Sequence, residues 1–338
     1  MGTVSEIAPT AVEGDEIVFR LSDPQHEHTD VKVWFDVELA PDGQSELGMV
    51  RVDGGWEVRL GMPDLDCLEY LFGADGVMAP DPGNPDQVEG AFGPHSWLAM
   101  PGYRPPAWLD APTTEGRRTS LTVGEIEVEV WDPSEGPLPL LLVHDGAEMD
   151  AYGRVVHFAA TRPPMRVALL SPGSNRDERY AANPAYAAAL VDEVVPAITA
   201  AYETIHKPVL LGQSLGALAA LHVAWLHPET FAGLMLQSGS FFTPVLDPQE
   251  SGYPFFEQVV GFVASLHEST ALPEGFPDVA MTCGVAEENL ANNRLLHNHL
   301  SALGASATWG EVRQGHTWMC WRDTLDPHLT TLLRNVWS

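Results

Sequence analysis

Residues 207–226 read KPVLLGQSLGALAALHVAWL, and this stretch decides the fold. The apolar run KPVLL predicts a buried strand, GQS a tight turn, and LGALAALHVAWL an amphipathic helix. A Gly-x-Ser-x-Gly sequence between a strand and a helix is the setting of a nucleophile elbow, in which the serine lies at the sharp turn. Gly212 and Gly216 would let the strand and helix backbones approach closely. The alternative is that Ser214 is only a small residue in a turn.

The composition limits the classes of partner that the protein can have. The chain has 338 residues, of which 45% are hydrophobic, so it is long enough for one large α/β domain or for two domains. Its net charge of −30, from 47 acidic and 17 basic side chains, would repel nucleic acid and anionic membrane surfaces. We therefore expect neither nucleic acid nor a membrane as a partner, and interpret the charge as favouring solubility.

The cysteines and the first residues bear on the compartment. The three cysteines form neither an even disulfide framework nor a CxxC pair, which is typical of reduced thiols in a cytoplasmic protein. The N-terminal residues lack the basic start and the apolar core of a secretory signal. No histidine, cysteine or carboxylate spacing indicates a metal site. We therefore expect a cytoplasmic location, no metal and no cofactor.

The first third of the chain has the pattern of a β-rich domain. Segments 32–39 and 56–60 alternate apolar and polar residues, and dense Gly/Pro/Asp turns fill residues 72–86. This pattern predicts a small antiparallel β-sandwich over residues 1–110. The Pro-rich stretch 100–116 is interpreted as an interdomain linker.

From about residue 120 apolar strands alternate with helices of 10–20 residues. Residues 121–133 are strand-like, a long helix is predicted over residues 183–202, and a last helix from about residue 321. This alternation predicts a mostly parallel sheet with helices on both faces in a catalytic domain over residues 111–338. Right-handed crossovers place the loops that follow the parallel strands at one edge of such a sheet.

A serine nucleophile needs a base and an acid, which follow it in the chain order serine, acid, histidine of α/β hydrolases. His316 lies just after the last predicted strand, in VRQGHTWMCWRDTL. Glu287 and Glu288 follow the preceding strand, which ends MTCG. Glu287 is preferred as the acid and Glu288 is the alternative. Either carboxylate could also simply stabilise a helix N-terminus.

Two backbone N–H groups are needed to bind the oxyanion that forms during acyl transfer. One would come from Leu215, directly after the predicted nucleophile. The other is expected from the turn in HDGAEM, at Gly146 or Ala147. The alternative is that HDGAEM is an ordinary turn between a strand and a helix.

Several segments together resemble the enterochelin (enterobactin) esterase-like branch of the α/β-hydrolase esterases. They are LLVHDG, NRDERYAANPAYAAALVDEVVPAI, LLGQSLGALAAL, CGVAEENLANN and QGHTWMCWR. The resemblance extends over the whole chain and implies an α/β-hydrolase fold preceded by a β-sandwich that helps to form the substrate site. The acid of that family stands three residues after a glycine that ends a strand, which from Gly284 implies Glu287.

The resemblance also implies hydrolysis of ester bonds, in its best-known form in the trilactone of a catecholate siderophore. A ferric siderophore is anionic, so its binding would need a local basic patch, for which Arg176 and Arg322 are candidates. Arg176 could instead pair with Glu178 as part of the scaffold. Trp318, like Trp321, could stack on an aromatic acyl group or pack in the core.

Two further interpretations stay open. The same catalytic residues could act on feruloyl, acyl-sugar or short acyl esters, because related folds serve many substrates. In a different functional class, the chain could be a catalytically vestigial protein that binds a saccharide or a siderophore. The oligomeric state is not predicted.

Overall fold

The computed structural model describes residues 7–35, 37, 39, 45–90 and 93–338. They form two compact units. The first contains the described residues up to Arg104 together with Arg313–Thr317, and the second contains Pro105–Val312 and Trp318–Ser338. A short 3-10 turn, Ala107–Asp110, lies within the segment predicted as a linker.

The first unit is built from strands in two antiparallel sheets. The strands are β1 (Ala11–Glu13), β2 (Glu16–Ser22), β3 (Val31–Phe35), β4 (Glu46–Gly48), β5 (Val50–Val52), β6 (Gly55–Gly61), β7 (Cys67–Ala74), β8 (Val77–Ala79), β9 (Gln87–Gly90) and β10 (Gly93–Ala99). One sheet has the order β1-β2-β6-β5, and the other has the order β4-β3-β7-β10-β9 with β8 on β7. The strand predicted over residues 32–39 ends at Phe35, and residues 36 and 38 of that segment lie outside the described residues. Residues 72–86, predicted as turns, include the hairpin of β7 and β8.

An aromatic core joins the two sheets of the first unit. The ring of Phe19 on β2 lies 5.4 Å from that of Phe35 on β3 and 5.1 Å from that of Tyr70 on β7, measured between ring centroids. All three side chains are fully buried. Because β2 belongs to one sheet and its two partners to the other, the sheets pack face to face as the predicted sandwich.

The second unit is an eight-stranded sheet covered by helices. Its strands are β11 (Arg117–Val123), β12 (Ile126–Asp132), β13 (Leu140–Val143), β14 (Arg166–Leu170), β15 (Val209–Gln213), β16 (Gly233–Gln237), β17 (Asp278–Gly284) and β18 (Ala307–Val312). Their order is β11-β12-β14-β13-β15-β16-β17-β18, and every pair from β14 to β18 is parallel. The predicted α/β-hydrolase fold is confirmed, and the strand-like segment 121–133 is the second part of an antiparallel hairpin that turns at Gly124.

Helices alternate with the parallel strands of this unit, as predicted. They are α1 (Gly146–Ala151), α2 (Val155–Ala160), α3 (Arg176–Tyr180), α4 (Pro184–Ala189), α5 (Val195–Ala201), α6 (Leu215–Leu226), α7 (Phe256–Glu268), α8 (Leu290–Ala302), α9 (Trp318–Asp323) and α10 (Thr330–Val336). A π-helical turn, Leu190–Val194, joins α4 to α5 in the predicted helix 183–202. A kink at Asp326, whose φ is −117° and ψ 125°, separates the last two helices. The side chain of Asn183 caps α4 by accepting from the N–H groups of Ala185 and Tyr186. The last helical region begins at Trp318, whereas the sequence predicted a start at about residue 321.

Helix α6 is not amphipathic, which corrects the prediction. Residues 215–224 are all buried, because the sheet covers one side of the helix while α3 and α4 contact it from elsewhere. A helix that is apolar all round is typical of such a fully covered position. No helix in the described part of the chain is long and apolar enough to cross a membrane.

The strand register places several loops at one edge of the sheet. Val143 pairs with Leu211, Gln213 with Gln237, and Gly284 with Val312. These residues are at or near the carboxyl ends of β13, β15, β16, β17 and β18. The loops that follow these parallel strands therefore leave the sheet at the same edge, where ligands of open α/β sheets bind.

Candidate active site

Ser214 occupies a strained turn between β15 and α6. Its backbone has φ +56° and ψ −126°, a conformation that residues other than glycine rarely adopt. Neighbouring strand ends hold it in place, since its N–H donates to Gln237 O (2.9 Å) and its carbonyl accepts from the N–H of Ser240 (3.2 Å). The hydroxyl oxygens of Ser214 and Ser240 are 3.4 Å apart. This geometry is that of the predicted elbow.

Two glycines make the elbow possible. A Cβ on Gly212 would lie 2.2 Å from Gly216 O and 2.8 Å from Ala217 N, both of which are backbone atoms of α6. A Cβ on Gly216 would lie 3.1 Å from the Cβ of His144. Strand and helix therefore approach as closely as the sequence predicts, and a side chain at Gly212 would force them apart.

His144 supports the elbow from the neighbouring strand end. Its side chain is fully buried, and its Nδ1–H donates to Gly216 O at 2.7 Å. Burial lowers the pKa of this imidazole to about 4, because a charged ring would lose its hydration. His144 is therefore neutral at pH 7 and acts as a hydrogen-bond donor beneath α6.

Arg176 forms an ion pair that the sequence did not predict. Its Nε and Nη2 donate to Oδ1 and Oδ2 of Asp145, each at 2.7 Å, and Gln213 Nε2 donates to the same carboxylate at 3.2 Å. The scaffold partner of Arg176 is thus Asp145 and not Glu178, because the buried carboxylate follows β13 and faces the start of α3. Arg176 holds the turn before α1 beside the elbow.

The predicted oxyanion donors lie at the starts of two helices. Leu215 begins α6 directly after Ser214, and Gly146 and Ala147 are the first residues of α1. The loops that carry them follow the adjacent parallel strands β15 and β13. Gly146 is buried against Leu169 while Ala147 is exposed.

The two candidate acids differ in environment. Glu287 is buried, and its Oε1 accepts hydrogen bonds from Gly284 N–H and from the Ser238 hydroxyl, both at 2.7 Å. Glu288 is exposed, and its Oε2 accepts from Gln249 Nε2 at 3.1 Å. Only Glu287 thus has the fixed, hydrogen-bonded carboxylate that an orienting acid needs.

His316 lies in the loop that joins β18 to α9, four residues after the end of the strand. It is half-buried. Val312, after which this loop begins, pairs with Gly284, the last residue of β17.

Two predicted substrate contacts have partners within the second unit. The ring of Trp318 is buried and lies 4.8 Å from that of Trp321, in an edge-to-face arrangement. The guanidinium of Arg322 contacts Asp323 Oδ1 at 2.7 Å through Nη2. The burial of Trp318 favours the alternative that it packs in the core.

Sequence reasoning missed the polar residues around Glu287, chiefly Ser238. The same dipeptide, Gln-Ser, occurs in register at the ends of two neighbouring strands, as Gln213–Ser214 after β15 and as Gln237–Ser238 after β16. Both serines have a positive φ. That repeat was the available signal. Among the described residues, no group of three or more His, Cys, Asp or Glu side chains could hold a metal ion.

Comparisons with known proteins identify the family. Residues 122–332 match the Esterase family model, whose description is "Putative esterase". The iron(III) enterobactin esterase of Escherichia coli strain K12 is 29% identical over 133 residues, which are 39% of this chain and 31% of that protein. The chain thus aligns with about a third of the length of this curated relative.

Solved structures share the fold. The ferric enterobactin esterase of Salmonella typhimurium superposes with a TM-score of 0.79 at 20% identity, covering 95% of this chain and 94% of that chain. A ferulic acid esterase superposes with a TM-score of 0.52 at 17% identity, covering 65% of this chain and 99% of that one. The resemblance to enterochelin esterases that the sequence indicated is confirmed. Since the family model matches more than half of its residues, this chain belongs to the Esterase family.

Proposed function

We propose that the protein is a serine hydrolase of carboxylic esters in which Ser214 is the nucleophile, His316 the general base and Glu287 the acid. The strained backbone of Ser214 carries this proposal. Its φ of +56° and ψ of −126° lie outside even the left-handed helical region, and hydrogen bonds from β16 and its loop hold the residue there. This strained backbone also argues against the alternative that the chain is a binding protein without catalytic activity.

The first half-reaction acylates the serine. Ser214 Oγ attacks the ester carbonyl while His316 takes the hydroxyl proton. The N–H of Leu215 and that of Gly146 or Ala147 bind the negative oxygen of the tetrahedral intermediate. The intermediate then releases the alcohol, which leaves with the proton from His316.

The second half-reaction restores the enzyme. His316 takes a proton from water, whose oxygen attacks the acyl-serine carbonyl, and the same N–H groups bind the second oxyanion. The intermediate expels Ser214 Oγ, which recovers its proton from His316, and the carboxylic acid departs. Throughout, Glu287 orients the imidazole and stabilises its charged form.

Matched substitutions test the choice of acid. Glu287→Gln should lower kcat on p-nitrophenyl acetate about 10⁴-fold, since the histidine loses its charged partner. Glu288→Gln should leave kcat within about twofold, because that carboxylate is exposed and its hydrogen bond is to a side-chain amide. The reverse ranking of the two variants would assign the acid to Glu288.

For the substrate, we propose the ester bonds of a catecholate siderophore of the enterobactin type. The enterobactin esterase of Salmonella typhimurium shares the fold over 95% of this chain, whereas the ferulic acid esterase shares it over 65%. The β-sandwich unit is thus part of the likeness to the former protein. A cytoplasmic location, which we also propose, would fit hydrolysis of a siderophore after its uptake.

A neutral ester is the second candidate substrate, and the charge distribution favours it. The guanidinium groups of Arg176 and Arg322 each contact a carboxylate, and the chain as a whole carries a net charge of −30. Such a field disfavours a trianionic ferric complex relative to an uncharged ester.

A substrate panel separates the two candidates. We would compare kcat/KM for the ferric and the iron-free cyclic trilactone, methyl ferulate and p-nitrophenyl acetate. A kcat/KM for either trilactone at least tenfold above that for methyl ferulate would support the siderophore proposal. Hydrolysis confined to methyl ferulate and p-nitrophenyl acetate would contradict it, and no hydrolysis of any ester would contradict the esterase itself.

A further inference from the structure

We propose that Ser238 is a positioning residue for Glu287, and that the indole of Trp321 fixes the direction of the Ser238 hydroxyl. The proposal rests on the proposed function, because it assigns a task to the hydrogen bonds of the triad acid. All three side chains belong to the second unit and are buried.

Two hydrogen-bond donors meet at Oε1 of Glu287. The Ser238 hydroxyl donates to Oε1 at 2.7 Å, and Gly284 N–H donates to the same atom at 2.7 Å. The Cys320 thiol lies 3.9 Å from it. This arrangement fixes the plane of the carboxylate.

The backbone of Ser238 is held rigidly. Its φ is +49°, its N–H donates to Thr282 O at 2.7 Å, and its carbonyl accepts from Asn289 Nδ2 at 3.3 Å. The next residue, Gly239, exchanges two hydrogen bonds with the amide of Asn293, at 3.0 and 2.7 Å. A strained residue that several partners hold in place is typical of functional sites.

Trp321 determines which way the hydroxyl points. Its Nε1–H donates to one of the two acceptor sites of Ser238 Oγ, at 3.0 Å, while the hydroxyl proton is donated to Glu287 Oε1. The ring packs edge to face on Trp318, and the Trp321 carbonyl accepts from Gln237 Nε2 at 2.7 Å. The indole is therefore locked by packing and by the strand end that precedes Ser238.

This chain of donors acts on the chemical step. A carboxylate that turns away from the imidazole stabilises the imidazolium of the transition state less well, while ground-state binding of an ester does not change. Loss of either donor should therefore lower kcat and leave KM unaltered.

The test uses kcat and KM for p-nitrophenyl acetate in the full-length protein. Ser238→Ala should lower kcat about tenfold and Trp321→Phe about fivefold, with KM within twofold. In the Ser238→Ala background, Trp321→Phe should change kcat by less than about twofold, because the indole acts through the hydroxyl. Trp309→Phe is the matched control, because the Nε1–H of this half-buried indole donates to Glu311 on its own strand, at 2.9 Å, and not to Ser238; its kcat should stay that of wild type.

Each outcome is decisive. Wild-type kcat in both single variants, or effects that multiply fully in the double variant, would overturn the proposal while leaving the esterase function intact. Full activity of Ser214→Ala would instead refute the proposed function. If Ser238→Ala does not fold, as judged by near-UV circular dichroism, the kcat of Trp321→Phe alone decides: unchanged kcat overturns the proposal, and a fivefold loss at constant KM supports it.

Discussion

The buried imidazole of His144 should make the stability of the protein depend on pH. In the unfolded chain its pKa is near 6.5, whereas burial lowers it to about 4 in the folded protein. Its Nε2 has no hydrogen-bond partner among the described residues, so a proton there would be buried without an acceptor. The contribution of His144 is therefore fully present above pH 6.5, and it is lost as the pH falls from 6.5 towards 4.

The size of the effect follows from the two pKa values. A gap of about 2.5 is equivalent to about 3.4 kcal/mol at 1.36 kcal/mol for each pKa unit. Between pH 8 and pH 5 about 2 kcal/mol of this should be lost, because most unfolded chains are protonated at pH 5 and most folded ones are not.

Urea unfolding at pH 8 and pH 5 measures this difference. We would compare wild type with His144→Asn, which keeps a donor close to the Nδ1 position but cannot titrate. When the pH is lowered from 8 to 5, the free energy of unfolding should fall by about 2 kcal/mol less in this variant than in wild type. His206→Asn, at an exposed residue with a positive φ that Asn tolerates, is the control and should behave as wild type. Equal losses in wild type and His144→Asn would refute the reasoning.

Two further predictions concern the supports of the elbow. Gly212→Ala should cost about 3 kcal/mol of unfolding free energy and abolish esterase activity, since its Cβ would lie 2.2 Å from a backbone oxygen. The control is Gly261→Ala, in an open position on α7, which should raise the unfolding free energy by up to about 1 kcal/mol. Equal melting temperatures for these two variants would contradict the predicted clash. Arg176→Lys keeps the charge but loses the two-pronged contact with buried Asp145, and should cost about 2 kcal/mol in urea unfolding. Arg294→Lys loses the same geometry on an exposed partner and should cost less than about 0.5 kcal/mol; a cost equal to that of Arg176→Lys would show that burial does not matter.

Local patterns in the sequence predicted the second unit well. The bounds of α6 and of β17 follow from the turn GQS and the apolar run DVAMTCG, because buried strands and short connections leave clear boundaries. The Gly-x-Ser-x-Gly setting of Ser214 was sufficient to predict the strained turn. Glycine spacing reports directly on backbone approach, which is a local property.

Contacts between distant parts of the chain could not be predicted in the same way. Arg176 and Asp145 are 31 residues apart, and Trp321 and Ser238 are 83 apart. These pairs meet only once the sheet has formed, and no periodicity encodes them. The burial of α6 on all sides was missed for the same reason, because its other cover comes from α3 and α4.

Identification of the reactive serine tests the central claim most directly. After reaction with a fluorophosphonate, the folded protein would be digested and the modified peptide located by mass spectrometry. We expect one adduct, on Ser214, that is absent from Ser214→Ala and retained in Ser240→Ala, whose hydroxyl lies 3.4 Å from that of Ser214 in wild type. An unlabelled wild-type protein, or equal labelling of Ser214→Ala, would contradict the assignment of Ser214 as the nucleophile.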